Sequence, residues 1–468
     1  MIKQHLIAAM AVGGLVLAGC ESSSSSNGDD DLAKANLRVL HASPNAPAVN
    51  VYLDSAMTPA IEALDYGEAS AWANIDAKQY EVEVYGILPD MSDTADAVIE
   101  AMPTLMDGVN YTVVAVNNLN EISAKIFADD GATTDSERVR VQVAHLTAGA
   151  PDVDIHVTAS GDSLSPNTVA GTVRFTDTAA LGPVLLDAGD DYRIRVTAQG
   201  DASAVVFDSG TLSLAAGSDL FIGAIPNASG VGESPIALAV LDGEGSSIIY
   251  DAVGGAAVRA AHLVSDVGEV SVYAGADTTE GLDADVTGAA VFTDVDFKDV
   301  SNYAEVAAGS YDLAVSADGA TAAISAEGVE LVRGMSYSVL ALGTAAEGNL
   351  ELVPFVDDRR SVATAVKVRI IHGASDTAEV DIYVTADGDI STAEPTFSNV
   401  PYKATTGFVA LAAGSYNVKV TPTGTKTVAI DVNLDNLAAG QIYTAIARNP
   451  GDTETGPQPQ LIDDSPSD

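Results

Sequence analysis

The chain has 468 residues and carries 66 acidic against 21 basic side chains, a formal net charge of −45 at pH 7. That balance excludes nucleic acid as a partner, because phosphate binding needs clustered lysine and arginine. A hydrophobic content of 47% excludes a wholly disordered chain, and a single cysteine excludes any intramolecular disulfide. The length predicts about three domains, and the acidity reads as a solubility device or an adaptation to a salt-screened medium.

In chain order the first element is an export signal. Lys3 supplies a positive start, residues 6–17 form an apolar run, and the small pair Ala18-Gly19 precedes Cys20. A run of this length is too short for a helix across a bilayer, which takes about 20 residues, so it is set apart from the fold. Residues 17–20, Leu-Ala-Gly-Cys, resemble a bacterial lipobox. The resemblance implies a signal peptide over 1–19, cleavage between Gly19 and Cys20, and a lipidated (palmitate-bearing) Cys20. Acylation anchors through about 0.8 kcal/mol per buried methylene, so several chains hold where one does not. Glu21 stands where an aspartate often marks inner-membrane retention, which favours the outer membrane. Residues 20–35, with five serines and three aspartates and no apolar periodicity, read as a flexible tether.

The remainder repeats itself four times. Residues 38–52 recur as 142–156, 259–273 and 369–383, anchored by His41, His145, His262 and His372, each followed at the same offset by an alternating Val-x-Val or Val-x-Ile. A second block recurs at 80–84, 192–196, 311–315 and 416–420. A third recurs at 111–116, 220–224, 337–342 and 443–447, with Gly108, Gly217, Gly334 and Gly440 three residues upstream. Repeats one, three and four close on paired acids, Asp129-Asp130, Asp357-Asp358 and Asp463-Asp464, whereas the second gives Leu241-Asp242. These blocks alternate with period two, are rich in β-branched residues and tyrosine, and are separated by glycine, asparagine or aspartate. They predict an all-β chain of four tandem immunoglobulin-like antiparallel β-sandwich domains over 36–134, 135–253, 254–361 and 362–468. The joints are short, which predicts a constrained, rod-like array.

The histidine-led opening, the Ala-Gly-x-Tyr strand and the closing Asp-Asp resemble the bacterial domain-of-unknown-function 4397 family, in four copies from about residue 36 to the end. The resemblance implies an exported protein or lipoprotein and carries no active site across. The second repeat departs from the pattern with His156 where the others have tyrosine.

Few residues invite chemistry. His41, His145, His262 and His372 share a strand face with valine, alanine and isoleucine, which points them at the core, where each would satisfy backbone groups of the following loop. No second histidine recurs in register, so a metal reading lacks its ligand set. The segments 385–389 and 129–131 have the oxygen-rich character of calcium loops but complete no EF-hand, and the better metal candidates are the joint acids Asp129, Asp130, Asp357 and Asp358, as calcium ligands set against a reading as solvated linker acids. No nucleophile elbow, HExxH, P-loop or dinucleotide fingerprint occurs. Tyr52, Tyr273 and Tyr383 fall on the outward strand face, and Trp72 is the single tryptophan.

The expectation is a non-enzymatic cell-envelope lipoprotein of the outer membrane, periplasmic or surface-exposed. Its sandwiches would serve adhesion, matrix contact or scaffolding through multivalent display, with the membrane and an envelope or matrix component as partners and no cofactor. The alternative is a ligand-binding or sensing lipoprotein, and third an unrecognised enzyme.

Overall fold

A computed structural model describes residues 33–130, 136–276 and 289–465. The signal segment, Gly19 and Cys20 therefore lie outside the described residues. The chain divides into two compact units. One holds the residues up to Pro226 with Ile236–Ile249, and the other holds Asn227–Pro235 with everything from Tyr250 on. Among the described residues the fold is all-β, with helical geometry confined to two three-residue turns, Leu119–Glu121 and Pro166–Thr168.

The first sandwich has eight strands: β1 (Lys34–His41), β2 (Val49–Leu53), β3 (Ile61–Leu64), β4 (Ala73–Asp76), β5 (Val82–Gly86), β6 (Ile99–Ala101), β7 (Asn110–Val116) and β8 (Ser123–Asp129). One sheet runs β4-β1-β7-β8 and the other β3-β2-β5-β6. All neighbours are antiparallel except β1 and β7, which are parallel. A parallel pair cannot be joined by a hairpin. Here the connection between β1 and β7 runs through the whole second sheet and returns once to the first for β4. The same order recurs in three further sheet pairs, whose equivalents of β1 are Arg138–His145, Ala256–His262 and Val366–Gly373; in the first of these each sheet gains a fifth strand, Leu212–Ser213 in one and Ser246–Ile249 in the other. The sandwich class matches the strand pattern. The strand order is distinct from the ABED/CFG division of a constant immunoglobulin domain, and β1 begins at Lys34, inside the stretch assigned to the tether.

Alternation builds each core. Val39, Val51, Val84 and Tyr111 meet in the first sandwich, and Val141, Val143, Ile155 and Ile222 in the second. Val258, Val272 and Val339 fill the third, and Val368, Ile370 and Ile382 the fourth. The four glycines preceding the β7-type strands take positive φ, from 71° at Gly108 to 89° at Gly440, a turn conformation costly for any residue with a Cβ.

The outer face of the β1-type sheet is not solvated. Within the second unit, Ala261, Leu263, Leu340, Leu342 and Phe355 of the third sandwich pack with Ile371, Ile446 and Ile462 of the fourth. A Cβ added at Gly373 would lie 3.1 Å from Leu342 Cδ2, so glycine there lets the two sheets approach. Within the first unit, Phe127 of the first sandwich and Phe221 of the second meet with ring centroids 5.3 Å apart. Consecutive sandwiches therefore join face to face inside each unit, through the sheet that carries β1. Leu340 and Ile371 are fully buried there. Leu340→Ala is expected to lower the stability of its unit by about 2–5 kcal/mol in a denaturant titration, whereas a loss below about 1 kcal/mol would mean that the face is not packed.

Candidate functional site

Each signature histidine ends a β1-type strand and clasps the loop that follows. Nε2 lies 2.9 Å from the Pro47 carbonyl oxygen for His41, 3.2 Å from that of Pro151 for His145, 3.0 Å from that of Gly268 for His262 and 3.0 Å from that of Ala378 for His372. In every case the acceptor stands six residues on. In two cases Nδ1 accepts a backbone N–H, from Ser43 to His41 and from Thr147 to His145, both at 3.2 Å. A carbonyl only accepts, so Nε2 carries the proton, and at His41 and His145, where Nδ1 itself accepts, the ring is neutral. An aromatic edge closes each clasp: Tyr66 on His41, Phe175 on His145, Phe297 on His262 and Tyr402 on His372, at centroid distances of 6.1–6.4 Å. Burial pushes the pKa values of His145 and His372 below the ordinary value. His156 is also fully buried, between the hydroxyls of Thr168 at 2.9 Å and Thr197 at 3.1 Å.

The opposite face of the same strands carries a second recurring feature, a buried arginine stacked on an aromatic ring. Arg259 lies over Tyr303 at 4.7 Å, Arg369 over Phe408 at 4.5 Å and Arg38 over Trp72 at 4.1 Å. In the second unit these arginines cross between sandwiches. Arg259 of the third forms a two-point pair with Asp464 of the fourth, and Arg369 of the fourth pairs with Asp357 of the third. Hydroxyls on the β7-type strands tie the ends together. Ser338 accepts from Arg259 Nε at 2.7 Å and donates to Asp357 at 2.7 Å, while Thr444 accepts from Arg369 at 3.1 Å and donates to Asp464 at 3.0 Å. Tyr303 adds a hydrogen bond to Asp357 at 2.8 Å. The arrangement is reciprocal, as in a two-fold interface between like subunits. Outside it, Lys298 reaches Glu454 at 2.8 Å and Lys403 reaches Glu351 at 2.6 Å, again one in each direction. Burial opposes the charge on Arg259, but the Asp464 hydrogen bond and the surrounding carboxylates outweigh it and hold its pKa above the ordinary value.

The first unit writes the same junction differently. The second sandwich has Gln142 in the arginine register and Gly243 in the register of Asp357. Its charge moves two residues along the same face to Arg140, which pairs with both Asp129 of the first sandwich and Asp219. Arg38 faces no aspartate at Gly243. It donates to Thr112 at 2.9 Å and lies between Trp72 and Phe221, and burial lowers its pKa to about 10. Trp72 occupies the space over Gly243, where a Cβ would come within 2.9 Å of the indole.

These pairings correct the reading of the joint acids. Asp129 and Asp357 are not solvated linker residues, because each is taken up by an arginine of the neighbouring sandwich. Asp358 pairs with Lys367 at 2.6 Å, and Asp130 stands 3.7 Å from Arg140 with its side chain mostly in solvent. Among the described residues no group of three or more His, Cys, Asp or Glu side chains is arranged to hold a metal. The outward tyrosines are tied down as well: Tyr52 donates to Asp93 at 2.7 Å, which pushes its pKa up to about 12, and Tyr383 is buried beneath Lys426. The cavities in the core of the first sandwich measure about 20 and 30 Å³ and are lined by apolar side chains, which leaves room for little more than a water. The histidines were legible from their recurrence. The arginines were visible in the same segments, three residues before the histidine in three repeats, but nothing in a single strand names the partner of a buried charge.

Removing one member of a buried ion pair strands the other, so Asp357→Ala is expected to cost about 3–5 kcal/mol. The double change Asp357→Leu with Arg369→Met should cost less than the sum of its two single changes in an unfolding cycle. The histidine clasps predict acid sensitivity. Because burial depresses the folded-state values of His145 and His372, the unfolded chain binds protons first. Stability should therefore fall as pH drops below about 6.5, the ordinary imidazole value. His372→Gln should flatten that slope, and an unchanged slope would sever the clasp from the acid response.

No curated protein matches this chain. Among solved structures, the Bacillus anthracis TIE protein is similar over 91% of this chain and 76% of its own, at 10% identity and a TM-score of 0.14. A leucine-rich repeat protein from Bacteroides thetaiotaomicron is similar over 43% of this chain and 26% of its own, at 14% identity and a TM-score of 0.12. A product complex of the multi-modular glycogen-degrading pneumococcal virulence factor SpuA is similar over 84% and 37%, at 9% identity and a TM-score of 0.15. At TM-scores this low none of the three bears on fold or function. The domain of unknown function DUF4397 matches residues 35–156, 256–383 and 366–468. The stretch between the first two matches, residues 157–255, is the body of the second sandwich; Gln142 and His156 lie just before it and Gly243 lies within it. With most of its length matched, the chain belongs to the family defined by that domain of unknown function, DUF4397.

Proposed function

We propose that this chain is a non-enzymatic cell-envelope lipoprotein, anchored through Cys20 in the outer membrane, that displays its sandwiches for adhesion, matrix contact or scaffolding. The observation that carries the reading is the use made of the recurring polar residues. The histidines hold their own loops, and the arginines and aspartates hold sandwich to sandwich. What repeats is thus spent on folding and pairing, which fits a display scaffold better than a repeated catalytic site. The displayed module is the face-to-face pair. Contact with a target would fall to the loops, the ends and the exposed residues of the β2-type sheets, and two such pairs on one chain would gain avidity for a repetitive target. The lipobox and the serine- and aspartate-rich residues after it support the anchor.

Cys20→Ala is expected to move the protein from the membrane fraction to the soluble fraction of lysed cells. Retention of the variant on membranes would defeat the lipoprotein reading.

A further inference from the structure

The strands of the first sandwich bring four chain segments to one end. Leu53 at the end of β2 pairs with Val82, which pairs in turn with Ala101 at the end of β6. Ala77 N donates to the Ala33 carbonyl at 2.7 Å, Leu105 N to that of Lys78 at 2.9 Å and Gly108 N to that of Lys34 at 2.8 Å. The entry to β1, the β2–β3 turn, the approach to β5 and the segment after β6 therefore share that end.

Three methionines stand on it: Met57, Met102 and Met106, at 99%, 65% and 60% exposure. Methionine is among the side chains most often buried, and Met335 in the third sandwich is partly so. The fourth exposed methionine, Met91 at 79%, lies in the turn after β5 at the other end of the same sandwich, where Ile87 bridges to Asp93. The charged groups of the methionine-bearing end are largely paired. Lys34 meets Asp76 at 2.7 Å and Lys78 meets Asp54 at 2.5 Å, and Glu81 and Asp107 add further acid. Such an end offers thioethers rather than positive charge.

The position of the chain entry identifies what covers these methionines. Lys34 opens β1 at this end, and the chain between Cys20 and Lys34 spans at most about 50 Å when fully extended. We propose that Met57, Met102 and Met106 form a membrane-seating surface, entering the boundary between headgroups and acyl chains of the bilayer that holds the Cys20 lipid. The proposal rests on the lipoprotein reading above. Methionine is unbranched and flexible, and so adapts to an irregular apolar boundary. The covalent anchor keeps this end at a high local concentration next to the bilayer, so a weak apolar contact is enough to orient the sandwich. The Met91 end then points away from the membrane.

The native methionines serve as their own probes. The acylated full-length chain is reconstituted on vesicles of phosphatidylethanolamine with a minor share of phosphatidylglycerol and treated with dilute hydrogen peroxide. Sulfoxide at each methionine is then followed by peptide mass spectrometry, beside the unacylated Cys20→Ala chain mixed with the same vesicles. Met57, Met102 and Met106 are expected to oxidise about fivefold or more slowly on the anchored chain, since oxidation follows exposure, while Met91 oxidises at the same rate in both. Equal rates at all four on a chain that floats with the vesicles would overturn the seating surface and leave the anchor standing. A chain that fails to float would overturn the anchor and the surface together. Equal protection of Met91 would show shielding that is not specific to this end, and would overturn the surface as well.

Discussion

A strand buried on both faces keeps a charge at a high cost unless another part of the protein supplies the opposite one. The β1-type strands are such strands. One face fills the core of their own sandwich, and the other lies against the neighbouring sandwich of the same unit. Arg259 and Arg369 sit in the second of these faces, almost without access to solvent. Stripping water from a guanidinium costs several kcal/mol unless a carboxylate and further hydrogen bonds replace it. That requirement fixes where Asp357 and Asp464 must stand, which hydroxyls must bridge them, and hence how the two sandwiches are set against each other.

Reciprocity follows from repetition. When two copies of one sandwich meet through the same face, each arginine finds the closing aspartate of the other, and the interface satisfies itself twice. The second unit keeps this symmetric form. The first has drifted: the second sandwich lacks both the arginine and the aspartate of that register. Arg140, two residues away on the same strand face, restores the charge pair, and the indole of Trp72 covers the place left by Gly243. The face is preserved while its chemistry moves by one period-two step, as strand geometry allows. The histidine clasp is independent of this exchange, because its partners lie six residues away in the same chain segment, and it persists in all four sandwiches.

The functional consequence is a division of surfaces. The β1-type sheets are spent on cores and on pairing, which leaves the loops and the ends as the surfaces not taken up in that pairing. On the first sandwich the two ends are unlike. One holds the entry to β1 and carries three exposed methionines, and the other carries Met91. A chain of this net charge gains nothing from attraction to anionic headgroups, so the proposed seating on a bilayer rests on apolar contact and the proposed lipid.

Much of this was legible in the sequence, because period-two alternation, glycine before the β7-type strands and a fourfold histidine are local signals. They fix the class of the fold and the core-facing side of His41, His145, His262 and His372. The sequence also displays Arg38, Arg259 and Arg369 and the closing acids, each inside its own repeat. What it could not display is that Arg259 belongs with Asp464, 205 residues away, and Arg369 with Asp357. The acids looked like solvated linker residues because they follow the last strand of each repeat. A buried charge takes its meaning from whatever excludes water around it, and that is the face of another sandwich. Local periodicity therefore determined the strands and their inward sides, whereas the pairing of sandwiches, and with it the role of every buried arginine, was decided only when the tertiary structure brought distant faces together.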